Sequence, residues 1–242
     1  MKTAFVSLVG AGPGDPELIT LKAINALQKA DVVLYDALAN EQLLKHAPNA
    51  IKQFVGKRAG QHSMPQEEIN ALIIKMAKEY GHVVRLKGGD PFIFGRAQEE
   101  IEAAKKAGIA VEIIPGITSA LAVPAMQMIP ATCRGIAESC WITTGTTEDG
   151  TLSKDIALAA KSSATVIILM GMGQLQKIMQ VFIDNGKSKT PVAIIENGTI
   201  IQEKKLIGIV ENIFAKAIAA GISSPAIIVV GDVVTINSYS IQ

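Results

Sequence analysis

Short apolar runs that alternate with helical patterns constrain the fold of this chain most strongly. The runs are rich in β-branched residues and stop at Gly, Pro or Asp, which is typical of buried strands. In the first half the predicted strands are Phe5–Val9, Asp31–Asp36, Ile51–Val55, Val83–Lys87 and Val111–Ile114. The first predicted helix begins at Asp15, with Pro16 at the first helical position and an apolar face of Leu18, Leu21, Ile24 and Leu27. Three further helices are predicted at Glu41–His46, Pro65–Tyr80 and Ala97–Ala107. Strands that alternate with helices predict a mostly parallel sheet.

The segment Pro115–Gly135 interrupts this pattern with prolines and small residues. We place a domain boundary at its start, which predicts an N-terminal domain of residues 1–115 and a C-terminal domain of residues 116–242. Alternation then resumes with strands Cys140–Thr144, Thr165–Met170, Val192–Glu196 and Ala226–Val230, a hairpin arm Thr199–Ile209, and helices Lys154–Ala160, Gln174–Asn185 and Ile213–Ala220. The fold class is therefore α/β with two α/β domains, and the cleft between them is the expected ligand site.

Composition excludes several functional classes. The net charge of +1, with 19% charged residues, provides no overall field for nucleic acid or an anionic membrane, so neither partner is expected. No apolar segment reaches the roughly 18 residues of a membrane span. Two cysteines and three scattered histidines form neither a disulfide framework nor a metal-ligand pattern, so no metal and a cytoplasmic location are expected.

The glycine loop Gly10–Gly14 leaves a dinucleotide-binding site as an alternative. It follows a strand and precedes a helix, and Asp36 ends the second strand, where such folds place the acid that binds the ribose. An NAD or FAD oxidoreductase is therefore a competing hypothesis. The third glycine of the pattern is missing, because that position is Asp15 or Glu17 depending on the glycine from which the count starts.

The stretch Val83–Arg96, VVRLKGGDPFIFGR, leads from a strand into a turn. Arg85 and Lys87 lie on an otherwise apolar strand, where an unpaired charge would be costly, so we expect them to face an anionic group. The glycines of Gly88–Asp90 allow the main chain to approach a ligand closely. This strand is predicted to lead into the functional site.

Seven motifs together resemble the tetrapyrrole methylases that use S-adenosylmethionine. They are GAGPGDPELITLKA, VVLYDAL, VGKRAGQHSMPQEEIN, VVRLKGGDPFIFGR, IIPGITSA, LMG and IENGT, and they cover nearly the whole chain in order. The resemblance implies two α/β domains that enclose the cofactor, a homodimer, and transfer of two methyl groups to uroporphyrinogen III. The product would be precorrin-2, formed through precorrin-1, for sirohaem or cobalamin. A sister methylase acting on a later corrin precursor or on a modified protein histidine is the alternative, and the third motif argues against it.

Methyl transfer from a sulfonium requires orientation more than acid or base strength, followed by removal of a proton. By resemblance, Asp36 and Lys57 are the acid–base candidates. The cofactor contacts implied by the resemblance are Pro13, Gly88, Gly89, Asp90, Ile93, Thr118, Ser119, Met170 and Gly198. Because an Arg fork meets carboxylate oxygens in pairs, cationic side chains are assigned to the substrate carboxylates. They are Arg58, Arg85, Lys87, Arg96 and Arg134.

The chain departs from the family pattern at Cys133 and Gly135, where the family commonly has His and Asp. The YDAL motif also lacks the Arg that often follows its Asp. These positions lie where the substrate would be contacted, so the departures bear on substrate fit more than on cofactor binding. Cys133 is assigned no catalytic role, since a lone cysteine is more often a small buried apolar residue.

Overall fold

The structure is a computed structural model of the 242-residue chain, and it describes residues 2–56 and 64–236. Its contacts divide the chain into two compact units, Met1–Ser119 and Ala120–Gln242. The predicted boundary lies slightly earlier, at residue 115.

The first unit is built on a five-stranded sheet in which all neighbouring strands are parallel. Its strands are β1 (Phe5–Gly10), β2 (Val32–Tyr35), β3 (Ile51–Phe54), β4 (His82–Lys87) and β5 (Ala110–Ile114), in the order β3-β2-β4-β1-β5. Its helices are α1 (Leu21–Gln28), α2 (Gln66–Tyr80) and α3 (Ala97–Lys106), with 3-10 helices at Pro16–Leu18 and Glu41–His46. The predicted parallel sheet is confirmed here.

Helices cover both faces of this sheet. Successive residues of each strand point to opposite faces, so neighbouring residues pack in different clusters. Val32 and Leu34 pack in one apolar cluster, with residues of α2 and α3. Val33 packs in a second cluster, with residues of α1. Burial on both faces is the reason why these strands are nearly continuous apolar runs rather than alternating ones.

The predicted start of the first helix is wrong. Asp15 caps only the 3-10 turn Pro16–Leu18, because Ile19 adopts an extended backbone (φ −82°, ψ 147°) that stops the turn. The side chain of Thr20 then caps α1, which begins at Leu21. Leu21, which the sequence analysis assigned to the apolar face, is 80% exposed.

The second unit contains a mixed five-stranded sheet, although its sequence alternates strands and helices like the first. Its strands are β6 (Cys140–Thr144), β7 (Thr165–Leu169), β8 (Pro191–Glu196), β9 (Lys204–Ile209) and β10 (Ala226–Val230), in the order β6-β7-β10-β8-β9. Its helices are α4 (Ser119–Met126), α5 (Asp155–Lys161), α6 (Leu175–Asp184) and α7 (Ile213–Ala219), with 3-10 helices at Met172–Gln174 and Asp232–Thr235.

Among the strands that the structure describes here, β6 and β7 are the one parallel pair of neighbours. The last strand, β10, lies between β7 and β8 and runs antiparallel to both. The predicted hairpin is confirmed, since β8 and β9 pair in antiparallel register. One face of β10 packs in a cluster with α5, α6 and α7, and the other packs in a cluster with residues of α4.

Within residues 2–56 and 64–236, no helix combines the length and the apolar character that crossing a bilayer requires. Cys133 and Cys140 are both free thiols.

Candidate active site

The carboxyl ends of the parallel strands place most of the predicted residues of the first unit at one edge of its sheet. Open α/β sheets bind ligands at this edge. Asp36 follows β2, the turn Gly88–Asp90 follows β4, and Thr118 lies in the segment after β5. Eight predicted residues lie in the segments that follow β1, β2, β4 and β5: Pro13, Asp36, Gly88, Gly89, Asp90, Ile93, Thr118 and Ser119. Lys57 and Arg58 fall outside the described residues.

Four glycines let three main-chain segments cross at this edge. Gly89 donates its N–H to the carbonyl oxygen of Gly12 at 2.7 Å, and Gly12 donates to the carbonyl oxygen of Gly89 at 3.3 Å. A Cβ added to Gly116 would meet the carbonyl oxygen of Gly89 and lie 2.7 Å from Cα of Gly10. Only residues without a side chain permit so close an approach. The sequence analysis did not identify Gly116, although the PGIT motif contains it.

Packing within the protein explains why the loop Gly10–Gly14 contains glycines, and no bound phosphate is needed to explain them. Gly10 is enclosed by the main chain of Gly89 and Gly116, and a Cβ on Gly12 would lie 2.7 Å from the carbonyl oxygen of Leu18. The glycines are therefore required for packing between segments of the protein itself. Of the two features that suggested a dinucleotide site, the glycine loop therefore has an explanation within the protein, and Asp36 at the end of β2 remains.

Asp90 ties the Gly88–Asp90 turn to the segment after β5. Its Oδ1 accepts the N–H of Phe92 at 2.8 Å, and its Oδ2 accepts the N–H of Gly116 at 3.0 Å. An ionised carboxylate has about four acceptor sites, so these two bonds leave capacity for a cationic group of a ligand. Asp90 therefore has a structural role that the sequence analysis did not predict.

Asp90→Ala is expected to lower the free energy of unfolding by about 2 kcal/mol, because two main-chain N–H groups lose a charged acceptor. Asp90→Asn should lose roughly half as much, since its single amide oxygen can still accept one of the two bonds. Urea unfolding of the wild type and both variants measures this series. Equal stability of all three proteins would contradict the proposed tie.

Asp36 is held in place by its surroundings. Its Oδ1 accepts the N–H of Leu38 at 3.1 Å, and its Oδ2 accepts from Nη2 of Arg85 at 3.0 Å. A Cβ on Gly56 would lie 3.1 Å from Cα of Asp36, and a Cβ on Gly88 would lie 2.5 Å from Cβ of Leu38. The side chain of Asp36 remains 24% exposed, so a held carboxylate is accessible at the edge of the sheet.

Arg85 and Lys87 face an anionic group, but that group belongs to the protein. Nε of Arg85 donates to Oε1 of Glu100 at 3.1 Å, and Nζ of Lys87 donates to Oε2 of the same carboxylate at 2.8 Å. Arg85 also pairs with Asp36. Helix α3 therefore supplies the anionic group that was expected, and the binding of substrate carboxylates by Arg85 and Lys87 stays a prediction.

The sequence carries a signal for Glu100 that was not among the predicted site residues. Residues 83, 85 and 87 of β4 share the face of the sheet that α2 and α3 cover. On α3, the buried residues Ala97, Ile101 and Ala104 mark the inner face, and Glu100 lies on it. An acid on the apolar face of one helix, and two cations on an apolar strand, predict an internal ion pair.

Burial and repulsion by Arg85 lower the pKa of Lys87 below its ordinary value of 10.5, while Glu100 and Asp36 act in the opposite direction. Between the lowered pKa and 10.5 the unfolded chain binds more protons than the folded one, so stability rises with pH in that window. Relative to Lys87→Met, the wild type should gain stability as the pH rises towards 10.5 and show a constant difference on the acid side. Urea unfolding across this range measures the difference, and a difference that falls with rising pH would contradict the assignment.

The remaining predicted residues are more exposed. Arg96 has a left-handed backbone (φ 55°) and forms two bonds to Glu99, at 2.7 and 2.8 Å. Arg134 is exposed in the second unit. Arg96 lies at the start of α3, beyond the Gly88–Asp90 turn.

In the second unit, Met170 and Gly198 follow β7 and β8. Both strands run antiparallel to β10 between them, so their carboxyl ends lie at the same edge of that sheet. Met170 has a left-handed backbone (φ 52°) and a half-exposed side chain, and its carbonyl oxygen accepts from the hydroxyl of Thr146 at 2.8 Å. Gly198 packs against Val123 so closely that a Cβ would overlap that side chain.

The residues at the edge of the first sheet suit a small polar cofactor such as S-adenosylmethionine. Gly89 has a left-handed backbone (φ 65°), and a Cβ there would lie 3.7 Å from the main-chain N of Ser119. Main-chain polar groups and the remaining acceptor capacity of Asp90 therefore lie close together. Across residues 2–56 and 64–236, no three His, Cys, Asp or Glu side chains are grouped so that they could hold a metal ion.

Comparisons with known proteins agree with the fold described above. The chain is 49% identical over 224 residues to the uroporphyrinogen-III C-methyltransferase of Methanobacterium ivanovii, covering 93% of this chain and 95% of the relative. The crystal structure of the Thermus thermophilus uroporphyrin-III C-methyltransferase with S-adenyl homocysteine matches with a TM-score of 0.81 and 37% identity, over 96% of this chain and 99% of that one. A cobalt precorrin-4 methyltransferase from cobalamin biosynthesis matches with a TM-score of 0.84 and 29% identity, over 95% of each chain.

The model of one protein family matches residues 6–213, which is most of the chain. This match extends over both units and all seven motifs of the sequence analysis. The chain belongs to the tetrapyrrole (corrin/porphyrin) methylases.

Proposed function

We propose that this protein catalyses the S-adenosylmethionine-dependent C-methylation of uroporphyrinogen III at two pyrrole carbons, giving precorrin-2 through precorrin-1. The observation that carries the proposal is near full-length similarity, at 49% identity, to a relative of that name. The held carboxylate of Asp36 and the Gly88–Asp90 turn, at one edge of a parallel sheet, support it.

Each methyl transfer requires that the methyl donor and the pyrrole carbon be positioned together, and that one group accept a proton. When bound, S-adenosylmethionine supplies the methyl group, and its sulfonium charge is lost as a pyrrole carbon forms the new C–C bond and the C–S bond breaks. The macrocycle then carries the positive charge until it loses a proton. Asp36 is the proposed acceptor of that proton, with Lys57 as its acid–base partner, and such a group contributes about 10²- to 10⁴-fold in rate.

We assign the cofactor contacts to main-chain groups and short side chains, which orient a ligand without much loss of conformational entropy. The proposed contacts are Pro13, Gly88, Gly89, Asp90, Ile93, Thr118 and Ser119 in the first unit, and Met170 and Gly198 in the second. For the substrate carboxylates the proposed cations are Arg58, Arg85, Lys87, Arg96 and Arg134. Arg85 and Lys87 contribute mainly as part of an internal ion cluster, since their charges are already paired.

A homodimer is part of the same proposal. Helix α4 is apolar on all its faces, yet Leu121 and Met126 are 44% and 57% exposed, and Met128 just beyond it is 68% exposed. Apolar surface of this kind is expected to be covered by a partner. Sedimentation of the purified chain tests this assembly. A cytoplasmic location is also proposed, and the two free cysteines are compatible with a reducing compartment.

Two measurements test the function. S-adenosylhomocysteine should bind and raise the melting temperature, whereas NAD should do neither. Incubation with uroporphyrinogen III and labelled S-adenosylmethionine should yield a product heavier by two methyl groups. A later corrin precursor as the sole acceptor would identify a sister methylase instead. A melting shift with NAD alone would restore the oxidoreductase hypothesis.

A further inference from the structure

Glu100 is a buried acid to which the proposed reaction assigns no part. It lies in the first turn of α3, is 1% exposed, and has a cation on each carboxylate oxygen. Replacing a buried ion cluster with apolar residues is often neutral or stabilising, so burial of these charges is weak evidence for a purely stabilising role. The geometry of the cluster indicates another role.

The guanidinium of Arg85 transmits the position of Glu100 to Asp36. Nε donates to Glu100 at 3.1 Å, Nη1 donates to the carbonyl oxygen of Leu86 at 2.9 Å, and Nη2 donates to Asp36 at 3.0 Å. A guanidinium is planar, and its donors diverge at fixed angles. With Nε bound to Glu100 and Nη1 bound to the carbonyl oxygen of Leu86, the direction of Nη2 is therefore fixed as well.

Asp36 depends on this contact for its orientation. Its Oδ1 is bound to the N–H of Leu38, within its own turn. Its Oδ2 accepts from Nη2 of Arg85, and this second bond limits rotation of the carboxylate about the first. Glu100 thus influences the orientation of the Asp36 carboxylate through the rigid guanidinium of Arg85, which binds both carboxylates.

We propose that Glu100 is a positioning residue, which holds Arg85 so that the Asp36 carboxylate points towards the proton that it removes. This inference rests on the proposed role of Asp36. Lys87 completes the device by binding the other oxygen of Glu100, which prevents that carboxylate from turning away from Arg85. Two carboxylates and two cations give the cluster no net charge, and this balance makes it compatible with burial.

The test is a double-mutant cycle with Glu100→Gln and Asp36→Asn. Gln preserves the size of the side chain and removes the charge, but it offers one acceptor oxygen where two cations need one each. Methylation of uroporphyrinogen III is measured with S-adenosylmethionine in excess, together with S-adenosylhomocysteine affinity and urea unfolding. Glu100→Gln should lower kcat by about 10- to 100-fold, the effect of misplacing a catalytic group by up to about 1 Å. The affinity for S-adenosylhomocysteine should stay unchanged.

The double variant decides between positioning and structure. If Glu100 acts through Asp36, the double variant should be no slower than Asp36→Asn alone, because no carboxylate remains to be oriented. If Glu100→Gln slows both backgrounds by the same factor, the positioning role is wrong. If Asp36→Asn is as fast as the wild type, the assignment of the base fails instead. Absence of any methylated product from the wild type would sink the proposed function.

A failure of Glu100→Gln to fold does not leave the question open. The cycle is then measured in the Lys87→Met background, where the removed cation matches the removed carboxylate and leaves the Asp36–Arg85 pair electrically balanced. The comparison is made among Lys87→Met variants only. The same non-additive pattern is expected, and multiplicative losses would again overturn the inference.

Discussion

Gly116→Ala is expected to lose about 3 kcal/mol of unfolding free energy, because its new methyl group would need space that main-chain atoms already fill. The added Cβ would meet the carbonyl oxygen of Gly89 and lie 2.7 Å from Cα of Gly10. Main-chain atoms cannot rotate away as a long side chain can, so the crossing of the three segments has to open. Urea unfolding followed by circular dichroism measures the loss.

The matched control is Gly173→Ala. An added Cβ at Gly173 meets nothing within 4 Å, and its backbone is not left-handed, so we expect a change within about 0.5 kcal/mol. The two variants add the same atom and differ only in what surrounds it. If Gly116→Ala were as stable as Gly173→Ala, the tight crossing would be wrong.

The same substitution links stability to ligand binding. Opening the crossing displaces the Gly88–Asp90 turn, because Asp90 accepts the N–H of Gly116. Under the proposed function, Gly116→Ala therefore loses its affinity for S-adenosylhomocysteine even at low temperature, where it is still folded. Calorimetric titration of the folded variant measures this, with Gly173→Ala expected to bind as the wild type does.

Asp36→Asn is expected to slow methylation by about 10²- to 10⁴-fold, since it removes the proposed proton acceptor. Asn has the size of Asp, and its oxygen can still accept the N–H of Leu38, so the turn is preserved. Binding of S-adenosylhomocysteine should be unchanged. Single-turnover kinetics with uroporphyrinogen III separate the chemical step from binding.

Asp155→Asn serves as the control for this variant, because Asp155 is an exposed acid in the first turn of α5. Its rate should equal that of the wild type. A full rate for Asp36→Asn would remove Asp36 from the mechanism. Equal slowing of both variants would point to a general effect of lost charge.

Prediction from sequence succeeded where a pattern reports on one element at a time. Apolar runs that end at Gly, Pro or Asp locate each strand of the two five-stranded sheets. The parallel direction of the strands in the first sheet also follows, because every connection between them contains a helix or a long segment. Long motifs such as VVRLKGGDPFIFGR were specific enough to indicate the family.

Prediction failed where a residue depends on what lies across space from it. Asp15 is a good cap, but the extended backbone of Ile19 limits it to one 3-10 turn, and Thr20 takes over as the cap of α1. The pattern around Arg85 correctly required an anionic group. It could not identify that group as Glu100, which lies on a different element.

The sequence by itself determined where the strands and most of the helices lie, because periodicity records which side of each element is buried. Its long motifs, by resemblance, indicated the family. Only the tertiary structure decided three things: that β10 lies between β7 and β8, that Gly116 packs against Gly10 and Gly89, and that Glu100 pairs with two cations of β4. The physical reason is the same for all three. Burial is written into the local pattern, whereas the partner against which a residue is buried is set by how distant segments meet.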